Sequence, residues 1–452
     1  MSRMFSKRGA ELRVINGYKF RLHKLLADDI QRWVCTKKSC KAYMKIDESG
    51  DTAESNLEHN HSRDCASMLM RQKVANACKR KASDDIFERP SKIMRKEMTS
   101  AALEVLTESD RQQIRKSIHN ARARLRPKLP KTLPELHEAL EVYETKTKLE
   151  EEFLLVNDNM ENILMFSTAK NLKFLSTCED LLMDGTFYAV PTLFAQLFVI
   201  FGRKKYTHVP LVYFLLTSKE KETYKLAFQK LKSFLSTQYT PRLICVDYED
   251  SIHTALRQVW PSATLQGCRF HLHQSWFRRL ANLGLKKVYG SKSAEGSYLR
   301  SFFGLAFLSP DEVEDFFVND FTQGEPDDEQ VQRFSDYVYS TYISSSARFP
   351  PSLWSKYAAT IARTTNACES FNSHLNGMFY HGHPNVFLLI DGLLEIQESA
   401  YTKMLSVDSS KQRKRSALRE VFIREIMDEL EGGVIDKGQF VKKLSRKFLP
   451  AV

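Results

Sequence analysis

From about residue 150 the chain alternates long apolar runs with segments of helical period. Residues 180–190, 193–202 and 207–217 read as three consecutive strands, and their short connections predict antiparallel hairpins. Residues 222–236 bring Tyr224, Ala227, Phe228, Leu231, Phe234 and Leu235 to one helical face. Residues 242–247 then read as a short buried strand and 252–259 as a helix. Further helices are expected over 274–285, 297–308, 310–317 and 329–342, and an amphipathic one over 386–404. The first third reads differently. Residues 13–22 and 31–35 alternate in the manner of short strands, with Gly17 and the Asp28-Asp29 pair at turns. Residues 66–140 are polar and charged. Capping residues place helix starts near Thr99-Ser100 and near Glu108-Ser109-Asp110, Pro127 and Pro130 end the second helix, and Leu133-Pro134-Glu135-Leu136 opens another.

Composition sharpens this picture at three points. The net charge is +12, and all of it lies in residues 1–140, which hold 30 Lys and Arg against 18 Asp and Glu. A basic segment joined to a balanced body predicts a nucleic-acid-binding arm; a solvated basic tail is the plainer account. Eight cysteines in 452 residues are too scattered for a disulfide scaffold, so metal ligation or core filling in a reducing compartment is expected. No apolar run approaches the roughly 18 residues of a membrane span, and the basic stretch Met1-Ser2-Arg3-Met4 is followed by no apolar core of a secretory signal. The basic clusters Lys79-Arg80-Lys81 and Lys92-Ile93-Met94-Arg95-Lys96 fit nuclear localisation signals or a solvated surface equally.

Cys35 and Cys40 are followed nineteen residues later by His59-Asn60-His61. Two cysteines at that spacing can close on one ion from a strand and its turn, and two histidines two apart on a strand would share one face. Four such donors complete a tetrahedron with no open position, which predicts structural zinc. Tyr18-Lys19-Phe20, Trp33-Val34-Cys35, Cys40-Lys41-Ala42-Tyr43 and His59-Asn60-His61 resemble the FLYWCH-type zinc finger. The resemblance implies a small β-sheet DNA-binding finger whose folding depends on zinc. Gln31-Arg32 stands where that family more often has an aromatic. Cys65 is an alternative ligand or a bystander.

The run Leu181-Leu182-Met183-Asp184-Gly185-Thr186-Phe187-Tyr188 delivers one carboxylate from an apolar strand, a costly placement unless the acid is paired or holds a metal. Asp247, in Ile244-Cys245-Val246-Asp247-Tyr248-Glu249, and Glu369, in Asn366-Ala367-Cys368-Glu369-Ser370-Phe371-Asn372, are its expected partners. Three strands, a helix, a strand and a helix match the order of a ribonuclease H-like fold, in which the first and fourth strands are neighbours. Carboxylates from separate elements suit hard divalent cations such as Mg2+ or Mn2+, and a two-metal site suits phosphoryl transfer. With Gly267-Cys268-Arg269-Phe270-His271, these segments resemble, in order, the transposase core of Mutator-like elements over roughly 150–400. The resemblance implies that Asp184, Asp247 and Glu369 form a DDE metal-binding triad. Cys268 and His271 carry that family's Cys-x-x-His signature. A second metal site, a phosphate contact, and a buried Cys beside a hydrogen-bonded His all fit them. Glu249 is either a helper of the triad or an ion-pair partner of an arginine.

DNA contact is expected from Arg115, Lys116, Arg122, Arg124 and Arg126 on one basic helix, by phosphate pairing. It is also expected from the strip Trp276-Phe277-Arg278-Arg279, by stacking with phosphate pairing from Arg278 and Arg279; core packing suits those aromatics as well. The nine acids and no base of 311–330 should face away from DNA. The expected organisation is α+β: a small β zinc finger (1–66), a basic helical connector (67–148), a ribonuclease H-like DDE core whose first part is 149–273, a helical insertion (274–360), and 361–452 with the last core helix bearing Glu369 and C-terminal helices. No Cys follows Cys368, so the second, cysteine-rich finger of many relatives is not expected. The function this predicts is a nuclear zinc-finger protein that cuts and joins DNA, with a homo-oligomer on DNA as a candidate assembly and with neither membrane nor small-molecule substrate. A former transposase kept as a silent DNA-binding regulator is the alternative.

Overall fold

The computed structural model describes residues 2–6, 9–358 and 366–449. They form two compact units, 1–129 and 130–452.

The first unit opens with six strands: β1 (Ser2–Phe5), β2 (Glu11–Ile15), β3 (Tyr18–Leu25), β4 (Gln31–Cys35), β5 (Tyr43–Ile46) and β6 (Thr52–Asn56). They make one antiparallel sheet in sequence order. Asn16-Gly17 turns β2 into β3 with both residues at positive φ, the pairing a tight hairpin of this hand requires. The core of the sheet is small, built on Phe20, Trp33, Met44 and Ile46.

Four helices follow: α1 (Ala66–Asp84), α2 (Pro90–Glu97), α3 (Ser100–Val105) and α4 (Glu108–Ala123). The two expected starts are present. Thr99 caps α3, and Thr107 with Asp110 forms a capping box on α4. The helices are not a solvated linker. Val74, Cys78, Ile93, Ala102, Ile114 and Ile118 close a core of their own. α1 was not foreseen, because its apolar positions are small residues and cysteine scattered among charges, and such a stripe has little contrast. The boundary between the two units, at Leu129 and Pro130, falls inside the span expected as one connector.

The second unit begins with α5 (Leu133–Val142) and is built on a seven-stranded sheet. Its strands are β7 (Leu154–Asp158), β8 (Ile163–Phe166), β9 (Asp180–Thr186), β10 (Gln196–Lys204), β11 (Thr207–Leu216), β12 (Leu243–Val246) and β13 (Thr264–Gly267). The order is β13-β12-β9-β10-β11-β8-β7. β9, β10 and β11 are antiparallel neighbours, while β12 runs parallel to both β9 and β13. Helices α6 (Ala169–Leu175), α7 (Lys221–Ser233), α8 (Asp250–Val259) and α9 (Arg269–Asn282) interleave with these strands. β9, β10 and β11 are buried along nearly their whole length. Burial on both faces explains why they read as continuous apolar runs rather than as alternation. The short strand β13 was not expected, since Thr264-Leu265-Gln266-Gly267 has a single apolar residue.

From 269 to 354 the chain is helical, with short 3-10 and π turns. Trp276 is fully buried there, edge-on to Tyr342 and Trp354 and tilted against Phe303. Of the two readings open for it, stacking on DNA and core packing, Trp276 takes the second. A helix at Asn366–Met378 carries Glu369, and a long one at Val386–Ser406 packs beside β11. Among the described residues no helix is long and apolar enough to cross a membrane.

Candidate functional site

In the first unit, β4 ends on Cys35 and the turn after it brings round Cys40. His59 and His61 sit in the irregular segment after β6, not on a strand as expected. They converge nonetheless because Tyr18 on β3 stacks flat on the His59 ring, at 3.6 Å between centroids. His61 stands edge-on to His59. Cys35 Sγ lies 3.2 Å from His61 Nε2, and Cys40 Sγ lies 3.3 Å from His59 Nδ1. All four donor atoms fall within 4.8 Å of one another. His61 Nδ1 lies 2.9 Å from the Ser62 carbonyl, so this nitrogen carries the proton and Nε2 is left as the donor to a metal. The set has the donor chemistry of a structural zinc site, closed to a further ligand. Cys65 is exposed, bonds with Ser67 and takes no part.

In the second unit, the ladder between β12 and β9 closes on Cys245 opposite Leu182. Asp184 lies two residues beyond that pair on β9, and Asp247 directly follows the end of β12, so two adjacent parallel strands bring both carboxyls to the same end of the sheet, near enough for Asp184 to raise Asp247. The contrast with Asp180, at the start of the same strand, is informative. Asp180 is clamped by the guanidinium groups of Arg203 and Arg242. Asp184 is equally buried but has no arginine or lysine partner among the described residues. Its Oδ2 accepts from Asn372 Nδ2 at 2.8 Å, and its Oδ1 lies 4.0 Å from His271 Nε2. Asn372 is three residues from Glu369 on the same helix, so one helical face presents both. Phe371, edge-on to Phe201, anchors that helix to the sheet.

The electrostatics follow from burial. Burial pushes the Asp184 and Asp247 carboxyls up to about 6, each opposed in part by His271. Burial, with Cys268 next, pushes Glu369 up to about 7. His271 goes the other way from what burial alone would do. The Cys268 thiol and the carboxylates of Asp184 and Asp247 raise it to about 9, so it is an imidazolium at neutral pH. One oxygen each of Asp247 and Glu369 is buried and accepts no hydrogen bond from any described residue, and neither does His271 Nδ1 find a partner there. Buried oxygens without donors are what a cation-binding carboxylate cluster presents. These carboxylates are nevertheless less tightly gathered than the Cys and His set. Among the described residues, only the latter brings three or more such donor atoms within 4.8 Å.

Two features around Asp247 escaped sequence reading. His253 on α8 holds the Asp247 carbonyl through Nε2 at 2.7 Å. The Tyr248 ring lies where any Cβ at Gly267 would project. The first joins residues six apart across the start of α8, and the second joins separate segments and is visible only once the sheet is assembled. Glu249 pairs with no arginine in the described residues; it accepts from the Tyr224 hydroxyl at 3.1 Å. Cys268 is fully buried beside His271.

The basic residues divide. Arg115, Lys116 and Arg124 are exposed on α4, and Arg126 is half-buried just beyond it. Arg122 is buried. Its guanidinium donates to the carbonyls of Ala82, Asp85 and Glu88 at 2.7–3.1 Å, clasping the end of α1, so it is not offered to phosphate as expected. Arg278 is exposed, while Arg279 lies over the Tyr337 ring at 5.0 Å.

Residues 4–61 match the FLYWCH zinc finger domain, and residues 181–275 match the MULE transposase domain. No curated protein matches the chain. Among solved structures, the Drosophila P element transposase strand transfer complex aligns at 11% identity and a TM-score of 0.22, covering 85% of this chain and 92% of that one. A likeness that weak carries no argument.

Proposed function

With a FLYWCH zinc finger domain standing ahead of a MULE transposase domain in one chain, we propose that this is a nuclear DNA-binding protein with a ribonuclease H-like DDE core that cuts and joins DNA. The observation that carries the reading is the meeting of Asp184 on β9 and Asp247 just past β12 at one end of two neighbouring parallel strands, with donor-less buried oxygens on Asp247 and Glu369. The central order β13-β12-β9-β10-β11 supports the ribonuclease H-like assignment, with β9 and β12 as its first and fourth strands. Asp184, Asp247 and Glu369 are the residues that would hold Mg2+ or Mn2+. Such ions, when bound, activate an attacking oxygen and stabilise a leaving one in phosphodiester chemistry.

The chain's own residues set the conditions for that. Asn372 fixes one Asp184 oxygen and leaves the other turned toward His271. His253 holds the backbone at Asp247. The finger supplies zinc-dependent DNA attachment, and assembly as a homo-oligomer on DNA would bring two cores to two ends. The test is strand cleavage on the element's own terminal sequences with Mg2+ or Mn2+, comparing wild type with Asp184→Ala. Equal cleavage by the two proteins would reject the triad.

One observation favours the second reading, a silent DNA-binding regulator. His271 at about 9 already places a positive charge beside Asp184 and Asp247, so the cluster is partly neutralised without a metal. Wild-type protein that binds DNA but never cleaves it, with either cation, would select that reading.

A further inference from the structure

Outside the two sites already described, the first unit holds one large polar cleft of about 640 Å³, within the range of ligand-binding clefts. One wall belongs to the finger, through Lys19, Lys37 and Asp64. The other belongs to α1 and α4, through Arg71, Lys79 and Arg124. Five cationic side chains thus face it against one carboxylate. Lys19 is matched by Asp64 at 3.0 Å and Arg71 by Asp110 at 2.8 Å. Lys37 and Arg124 are exposed, on opposite walls. Neutral donors, Asn120 and Ser117 on α4, lie between them.

Lys37 is not on a loose loop. It sits in the turn between the two cysteines, and its backbone N–H points at Cys35 Sγ, 3.5 Å away. Arg124 caps the end of α4, a helix fixed by its buried face of Ile114 and Ile118. Both charges therefore stand on rigid elements, and the cleft keeps its excess of positive charge in the folded state. The face of α4 that lines it runs through Gln113, Ser117, Asn120 and Arg124. Arg115 is turned to the far side of that helix by its position in the 3.6-residue repeat.

We propose that this cleft seats the phosphodiester backbone of duplex DNA, so that finger and helices grip DNA as one unit through Lys37 and Arg124. The proposal rests on the reading that the finger attaches the protein to DNA, and it moves the phosphate contacts from the outer strip of α4 to the inner face. A phosphate chain suits the site because an excess of positive charge and exposed donors on two walls are what backbone contact needs, while its apolar lining is limited to Met68, Ala75, Ile114 and Ala121.

The test is binding of zinc-loaded full-length protein to a labelled mixed-sequence DNA duplex across a series of salt concentrations. The Lys37→Ala/Arg124→Ala variant is expected to weaken binding and to flatten the plot of log affinity against log salt by about 2, close to 0.9 per lost phosphate contact. Arg115→Ala should leave that slope unchanged. Zinc content and thermal unfolding of each variant report whether the fold is kept. An unchanged slope in a folded double variant, with wild type binding normally, overturns the cleft alone. Failure of wild type to bind duplex DNA at all overturns the DNA reading and the cleft with it.

Discussion

Asp184 offers the sharpest test of whether the second unit holds a cation site or an ordinary buried acid. Its carboxyl sits at about 6 against an ordinary 3.8, burial being the largest cause. At 1.36 kcal/mol per pH unit, that difference makes the charged form about 3 kcal/mol less favourable in the folded chain than in the unfolded one. The folded chain holds its proton longer, so this group costs no stability below about pH 3.8, and its full cost is felt once pH has passed about 6. Asp184→Asn removes the charge and keeps an oxygen able to accept from Asn372. In buffer free of Mg2+ and Mn2+, the variant should be more stable than wild type at pH 7.5 by up to about 3 kcal/mol, or on the order of 6 °C in melting temperature for a unit this large. Near pH 4 the two should converge.

The assay is thermal unfolding followed by circular dichroism on the full chain. It is run without chelator, so that zinc stays in the finger. Adding Mn2+ should raise the melting temperature of wild type and leave Asp184→Asn close to where it was, because a ligand that binds only the folded state stabilises it in proportion to its occupancy. A variant that melts several degrees below wild type at pH 7.5 would refute the reasoning. Asp184 would then be a structural acid whose charge the fold needs, as Asp180 is between its two arginines.

Three further outcomes are expected. Gly267→Ala drives a Cβ into the Tyr248 ring and should cost about 1–3 kcal/mol by overpacking, read from the urea midpoint; a neutral result would mean that Tyr248 moves aside freely. Arg122→Ala breaks the clasp on Ala82, Asp85 and Glu88 and should destabilise the first unit by on the order of 3 kcal/mol, since it removes three charge-assisted hydrogen bonds and leaves the buried Ala82 carbonyl without this donor. Limited proteolysis would show cleavage near 85–89, and resistance equal to wild type would argue against the clasp. Cys35→Ser or strong chelation should abolish one equivalent of bound zinc and unfold the six-stranded sheet, whose core is too small to stand alone. Retained far-ultraviolet strand signal in the metal-free finger would contradict that dependence.

Much of the second unit was legible because its sheet is covered on both faces. Residues such as Leu181, Val199 and Phe214 leave runs that only a buried strand explains, and the boundaries of β9, β10 and β11 fall within a few residues of those expected. The zinc donors were legible by their spacing, although the way the two histidines are gathered was not. A strand was to bring them to one face, whereas Tyr18 stacking on His59 does so. The errors have a common physical origin. Sequence period reports which face of an element is apolar, but it does not report which polar side chain the fold will turn inward. Arg122 and Arg124 are two residues apart in a strip that looks uniformly basic, yet one is buried as a helix clasp and the other stands over a cleft. Trp276 fitted a stacking surface and core packing equally in the sequence, and it is core. The same limit applies at the acid cluster. Asp180 and Asp184 share a strand and a burial class, and only the packed structure separates the acid held by two arginines from the acid that faces a histidine and two other carboxyls. That separation is invisible in the chain: a buried acid is costly unless it is paired, and Asp184 is met by Asn372 and the His271 imidazolium where Asp180 is held by two guanidinium groups.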